Sequence, residues 1–374
     1  MDILKFKTKE PLSDADIVEG ITSKMWVERY RDAGEFRIIA PVDSGVREQL
    51  TVGSFISHIN STDLMIVENH EISSTSGESP DVIITGRGFE TLLENRIVGS
   101  NKTIPTLGPF NDFYCPSSQP WSAAIQVMRD LVLLNTKGGG LLDTTNEFRY
   151  VYPTWIGTPA GDVGDIWVKA GKNAYQAIME LLLIADTGIK AIRPGPWSTI
   201  NYGTTTDINL VVHQGIDRSD TITFSWDAGE VLSADYLWTN KAQKTAAYIR
   251  GKWCDAWVVL SGTSDRFDRR IMFIDGTDFD NNWNTAPTTT EQTTIRTQMS
   301  QYALNTLRAQ KFLTLVKADI SQTGTAFKYR TDYDLGDIVT VNGEYGSGEM
   351  RVTEYIEYED ETGANGYPTV SVLT

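Results

Sequence analysis

A meander near the start of the chain, LTVGSFISHINSTDLMIVENHEISSTSGESPDVIITG, and one at its end, YDLGDIVTVNGEYGSGEMRVTEYIEYEDETGANGYPTVSVLT, run through one order of features. A glycine leads a strand and a turn follows. Then come an apolar strand that closes on glutamate, a polar turn and a last apolar strand. Gly53 answers to Gly336, Ile66-Val67-Glu68 to Val352-Thr353-Glu354, Pro80 to Pro368, and Val82 and Ile84 to Val370 and Val372. Any two antiparallel meanders look somewhat alike, yet agreement in order and spacing points to one small sheet or barrel built twice. A chain repeating such a unit is expected to be α+β but mainly β, with two similar small sheets or barrels, one near each end.

The rest of the chain fits around that frame. WVERYRDAGEFRIIAP holds two strand-like runs around a turn at Asp32–Gly34, and a second turn is expected at Asn60–Asp63. Residues 89–97 place Phe89, Leu92, Leu93 and Ile97 on one helical face and Glu90, Glu94 and Asn95 on the other, with Gly99 as a stop. Between residues 100 and 167, Pro105, Pro109, Pro116, Pro120, Pro153 and Pro159 surround a single helical run, WSAAIQVMRDLVLLNT. A second helix, NAYQAIMELLLIADT, precedes three strand-like runs, and residues 276–292 read as a loop. The following helix, about 291–312, turns Ile295, Met299, Tyr302, Leu304 and Leu307 toward a core.

Charge and composition narrow the function. At −16, the chain offers no clustered cations to hold nucleic acid, although an acidic wall suits a passage through which DNA must slide. No apolar stretch reaches the roughly 20 residues of a membrane span, and the start lacks a secretion-signal core, so stable membrane insertion is not expected. Cys115 and Cys254 are read as two buried thiols, and His58, His70 and His213 form no metal-binding pair.

Several motifs tempt a catalytic reading. The glycine pair around Arg87 in VIITGRGFETLLENRIV lacks the third glycine of a dinucleotide loop and the Gly-Lys-Ser/Thr of a P-loop. Gly86 and Gly88 are therefore read as a tight strand-to-helix turn, with Arg87 facing solvent or an interface. KGGG at 137–140 reads as a helix stop. Asp275, Asp278, Asp280 and Asn282 suggest calcium, but an EF-hand counted from Asp278 meets Trp283 and Thr289 where Gly and Glu belong. Asp217, Arg218, Ser219 and Asp220 lie near His213 without a nucleophile elbow, so an Asp–Arg-held turn is expected. Trp26, Trp167, Trp226, Trp238, Trp253 and Trp257 sit in apolar or strand-like runs and are assigned to packing, whereas Trp197 and Trp283 lie in loops. No catalytic, cofactor-binding or metal-binding residue is assigned.

In order along the chain, WVERYRDAGEFRIIAP, ITGRGFETLLENRIV, GIDRSDTITFSWDAGEVLSADYLWTNKAQKTAAYIRG and YDLGDIVTV with RVTEYIEYED resemble the tail hub, or baseplate hub, proteins of long-tailed non-contractile phages. These are also the N-terminal part of tail-associated proteins. The resemblance implies a homotrimer around a channel, each subunit giving two similar tail-tube-like antiparallel β-barrel domains, each with a flanking helix, plus outer loop-rich domains, so that three subunits match a six-fold tail tube. It implies residues 1–98 as the first barrel domain, 99–165 as an outer loop-rich domain, 166–240 as the first part of the second barrel domain, 241–290 as a peripheral segment joining the outer domain and 291–374 as the closing part of the second barrel. It further implies a distal tail protein ring, a tape measure protein and tip or receptor-binding proteins as partners. Genomic DNA would pass through the lumen without specific binding. The location would be the phage tail tip, after assembly in the bacterial cytoplasm. Many relatives continue into a cell-wall hydrolase or adhesin, and no such extension is expected here. The resulting expectation is a non-enzymatic structural hub without cofactors. A glycan-binding tip protein using Trp197 or Trp283, and a hydrolase with an unrecognised acid pair, are the alternatives.

Overall fold

A computed structural model describes residues 2–9, 12–73, 80–99, 112–132, 151–157, 164–193, 208–235, 244–260, 269–280, 285–308, 317–321 and 326–372. The chain opens with β1 (Ile3–Lys9), β2 (Leu12–Ile17), β3 (Ser23–Arg29) and β4 (Glu35–Pro41). After a one-turn helix, α1 (Val46–Gln49), come β5 (Phe55–His58), β6 (Met65–Ser73) and β7 (Asp81–Gly88). They hydrogen-bond in the order β3-β4-β7-β6-β5-β1-β2, every pair antiparallel. Alternation drives this sheet: Val82 and Ile84 turn inward with Trp26, Ile38, Ile56 and Val67 to form its core. Burying each such side chain contributes about 1.5–3 kcal/mol.

The segment expected as a helix after β7 is a 3-10 stretch, Phe89–Asn95. Phe89 and Leu93 are buried as expected, but Ile97 is exposed and Glu90, assigned to the polar face, is 5% exposed. At three residues per turn, side chains at i and i+3 eclipse, so Glu90 goes inward with Leu93.

The middle of the chain supplies β8 (Phe113–Ser118), α2 (Pro120–Val132), β9 (Val151–Ile156), β10 (Gly164–Val168), α3 (Ala174–Ile184), β11 (Gly188–Ile192) and β12 (Ile208–His213). Strands β8 and β10 pair antiparallel, and β11-β12-β9 form a small mixed sheet. Helix α3 starts on Asn173, whose side-chain oxygen accepts the Gln176 N–H at 3.1 Å. The core here joins Cys115, Met128, Ile178, Leu182 and Leu210 to Phe55 of the first sheet and Phe89 of the 3-10 stretch after it.

Two short strands, β13 (Thr223–Ser225) and β14 (Val231–Asp235), precede a separate three-stranded sheet of β15 (Ala246–Arg250), β16 (Asp255–Val259) and β17 (Ile271–Asp275). After the single turn α4 (Thr277–Asp280), helix α5 (Thr289–Arg308) lays Ile295, Met299 and Leu307 against Ala247 and Ile249 of that sheet. Strands β18 (Lys317–Ile320), β19 (Ile338–Asn342), β20 (Ser347–Asp360) and β21 (Gly363–Val372) complete the order β14-β18-β21-β20-β19-β13.

Strand for strand, this order is the first meander again, with β14, β18, β21, β20 and β19 standing for β3, β4, β7, β6 and β5. Gly53 and Gly336 both take left-handed backbone, at φ 82° and 92°. The Gly53 N–H donates to the Val67 carbonyl at 2.7 Å and the Val67 N–H returns to the Ser54 carbonyl at 2.9 Å. Gly336 donates to Val352 at 2.8 Å and Val352 to Asp337 at 2.9 Å. A bulge follows each valine, before Asn69 and before Glu354. The glycine match made from sequence therefore holds, while the rest slips: Val67 matches Val352, not Thr353, and Gly86, not Val82, matches Val370. Pro80 precedes β7, whereas Pro368 lies within β21 opposite Tyr355.

The two repeats meet where β20 pairs antiparallel with β3, from Glu354 opposite Arg29 to Glu359 opposite Lys24, giving one 13-stranded sheet. Strand makes up 49% of the structure and helix 21%, so the fold is mainly β as expected. One departure is that β13 runs parallel to β19, which is possible because the chain between them is long enough to cross over. Among the described residues, no pairing closes either half into a barrel, and no helix is long and apolar enough to cross a membrane.

Candidate functional site: the joint between the repeats

Strand β3 turns Lys24, Trp26 and Glu28 to one buried side, so two charges enter the joint with a tryptophan between them. The Lys24 ammonium is fully buried, 2.9 Å from Glu357 and 3.0 Å from Glu359 on β20. Its third neighbour is His58 on β5, with Nζ and Nε2 2.7 Å apart. A buried charge is tolerable only when paired and hydrogen-bonded, and two carboxylates answer one ammonium here. Burial is the main force pushing His58 down to about 4, with Lys24 adding to it against the pull of Glu357. The imidazole is thus neutral, Nε2 accepts from Lys24, and this assigns the ring proton to Nδ1.

Glu28 ties in the segment before β19. Its carboxylate accepts from Trp26 Nε1 at 3.2 Å and the Tyr329 hydroxyl at 3.0 Å, and also from Ser61 and the Arg330 guanidinium. Burial opposes the charge on Glu28, but Arg330 and these donors outweigh it and hold the carboxyl below its ordinary value. Tyr329 stacks on Tyr355 of β20 with ring centroids 4.0 Å apart.

Tyr30, just past β3, reaches into both the second repeat and the middle of the chain. Its hydroxyl donates to the Asp186 carbonyl at 3.1 Å, and the Arg351 guanidinium lies 5.2 Å from its ring centre. Arg351 also donates to Asp186 Oδ2 at 2.8 Å and to the Gly336 carbonyl at 2.9 Å. A Cβ on Gly336 would come within 2.2 Å of the Tyr30 ring, and one on Gly188 within 2.1 Å of its carbonyl oxygen. The joint is therefore a buried tie whose carboxylates are engaged by cations and hydrogen-bond donors. Chemically it can hold two sheets in one register.

Residues 12–370 match the family of Siphovirus ReqiPepy6 Gp37-like proteins. The chain belongs to that family. Its fold is similar to the 43 kDa tail protein of prophage MuSo2 from Shewanella oneidensis, at 12% identity and TM-score 0.58, covering 100% of this chain and 98% of that one. It is also similar to the tail protein from Neisseria meningitidis MC58, at 10% identity and TM-score 0.59, covering 99% and 96%. For prophage tail protein gp18 from Listeria monocytogenes EGD-e the values are 11%, 0.55, 99% and 94%. No curated protein matches the chain.

The motifs that suggested catalysis have structural partners. Gly86 faces the bulge in β6, where a Cβ would lie 1.8 Å from the Ile66 carbonyl oxygen, and Gly88 leaves room for the Glu90 carboxyl. Arg87 forks between Glu68, at 2.9 and 3.0 Å, and Glu94, at 3.0 Å. Glu90 was missed in the sequence; its burial pushes it up to about 7. The Gly88 two residues before it is the signal that makes space.

The aspartates near 278 separate. Asp280 accepts the backbone N–H groups of Lys252, Trp253 and Cys254, each at 2.7 Å, Asp275 accepts from Thr277, and Asp278 lies 3.5 Å from Lys169. Among the described residues no acidic, His or Cys cluster could hold a metal. Arg218 pairs with Asp337 at 2.7 Å instead of an aspartate of its own turn, because β19 lies alongside. The Ser219 hydroxyl donates to Asp217 at 2.7 Å, and His213 packs edge-on to Tyr30 at 5.2 Å. Cys115 and Cys254 are buried thiols in different cores. Trp26 is core, but Trp253 and Trp257, assigned to packing, are exposed. Trp197, Trp238, Trp283, Asn282 and the 137–140 glycines lie outside the described residues. An open cleft of about 460 Å³ lies beside the joint, between Arg29, Tyr30, Arg31, Lys317, Arg351 and Glu354, and a cavity of about 130 Å³ lies beside Trp167, Lys172, Glu180 and Tyr302.

Proposed function

We propose that this chain is a structural, non-enzymatic component of a phage tail: a trimeric hub at its distal end that adapts a six-fold tube to a three-fold tip. The observation that carries this reading is the joint, which sets two copies of one strand order side by side in each chain. Three such chains supply six equivalent units. Membership of a siphovirus protein family and a fold shared with tail proteins support it. In this reading the partners are a distal tail protein ring, a tape measure protein and tip or receptor-binding proteins. The net charge of −16 suits a lumen that DNA crosses without adhering. The protein would be assembled in the bacterial cytoplasm and reside in the virion.

Light scattering over a concentration series, with negative-stain imaging, tests this. A species three times 41.6 kDa with a central hole supports the hub. A monomer at every concentration, absent also from purified tails, overturns it.

One observation favours a second reading. Tyr248, Trp257 and Phe273 lie across β15–β17 with ring centres 6.3 Å from Tyr248, and Trp257 and Phe273 are 48% and 65% exposed. Aromatic faces of this kind suit sugars, and cell-wall glycan binding lost in Trp257→Ala would favour a glycan-binding tip protein.

A further inference from the structure

The cavity of about 130 Å³ opens where β10, α3 and the pair α4 and α5 converge. Buried Ile166, Ala177 and Leu181 line it together with the half-buried rings of Trp167, Phe279 and Tyr302. Phe279 and Tyr302 meet at 58° with ring centres 5.6 Å apart, which makes an aromatic corner. An apolar cavity of about 150 Å³ takes one benzene molecule, so this one has room for a single ring.

The mouth of the cavity is charged. Lys172 stands 2.5 Å from Glu180 and 3.6 Å from Asp278, and Lys169 stands 3.5 Å from Asp278. Asp275 also lines the mouth, and among the described residues it has no ion pair, only hydrogen bonding from Thr277. Two cations thus share the mouth with three carboxylates. Burial raises the Tyr302 hydroxyl above its ordinary value, and Glu180 and Asp278 raise it further against the pull of Lys172. A negative field at the mouth has that effect.

We propose that the cavity is a socket for an anchor on a partner protein: one aromatic side chain with a Lys or Arg next to it. The ring fills the apolar space, and its cationic neighbour answers Asp275. Aromatic anchors seated in desolvated pockets carry much of the binding energy of protein interfaces, while rim charges select the partner. Because α3 and α5 both line the cavity, a seated anchor also ties the middle of the chain to the sheet of β15–β17. That the partner is another tail protein rests on the functional reading above, whereas the socket rests on the cavity.

The test uses three blocked tripeptides, Ala-Phe-Lys, Ala-Phe-Glu and Ala-Ala-Lys, titrated into the full-length chain with binding read by saturation-transfer NMR. Ala-Phe-Lys should bind about fivefold more tightly than Ala-Phe-Glu at low salt, and Ala-Ala-Lys should not bind. Asp275→Asn keeps an acceptor for Thr277 and should remove most of the preference for lysine. Ala177→Met fills the cavity and should abolish binding of the ring, with thermal unfolding reporting whether the variant is folded. If it is not, the surface variant Asp275→Asn decides alone. No binding of either phenylalanine peptide at millimolar concentration overturns the socket. Equal binding of the two, an unchanged preference in Asp275→Asn, or binding that survives in folded Ala177→Met overturns it as well. Each of these results leaves the trimer seen by light scattering untouched, so the hub reading fails only on its own test.

Discussion

Beside the joint, Lys24 donates to His58 of its own repeat, Nζ to Nε2 at 2.7 Å, and the bond exists only while the imidazole is neutral. The histidine is 2% exposed, so protonating it would set a second cation against a buried ammonium.

This relationship has a pH signature. His58 titrates near 6.5 once unfolded and near 4 when folded, so the unfolded state takes up more protons between those values. Its contribution to stability is whole above 6.5 and is lost as pH falls toward 4, by roughly 3 kcal/mol. Urea unfolding of the wild type and of His58→Gln, followed from pH 7.5 to 4.5, should show a steeper acid limb in the wild type. Parallel curves would remove His58 as the cause.

Glu28 and Arg330 should behave as one unit. Glu28→Ala leaves the guanidinium without its buried carboxylate and should cost about 3–5 kcal/mol. The double variant with Arg330→Ala should lose clearly less than the sum of the singles. Additive losses in urea midpoints would mean that the pair does not fasten the joint.

Two left-handed glycines separate conformational strain from crowding. Gly229, at φ 74°, has nothing within 4 Å of where a methyl group would stand, so Gly229→Ala should cost about 1–2 kcal/mol, the left-handed backbone alone. Gly336→Ala adds a collision with the Tyr30 ring and should cost several kcal/mol more. Thermal unfolding of both variants measures the difference, and equal losses would contradict the close approach of Tyr30.

The repeat was legible because Gly53 and Gly336 each start the same hydrogen-bonded turn, and only glycine adopts that backbone without strain. Its register was not. Bulges at Glu68 and Thr353 shift the pairing by one residue, and alternation alone cannot reveal a bulge. The buried charges also escaped. Lys24 lies on an inward-facing position that polarity assigns to solvent, and its partners Glu357 and Glu359 come from the far end of the chain. Glu90 went unseen because helical spacing was assumed where the backbone turns in threes.

The joint also sets an order of events during synthesis. Lys24 and Glu357 are 333 residues apart, so at about 5–20 residues per second the ribosome needs roughly 17–70 s between making them. Through that interval the first meander can collapse around Trp26 and Ile84 while β3 waits with one side unpaired and a buried-to-be ammonium still wet. On a polysome, many nascent chains present that same side at once. The protein's final strands therefore act as its own late-arriving chaperone, and a chain cut short before Glu354 should be retained by the cell's folding machinery or lost to aggregates.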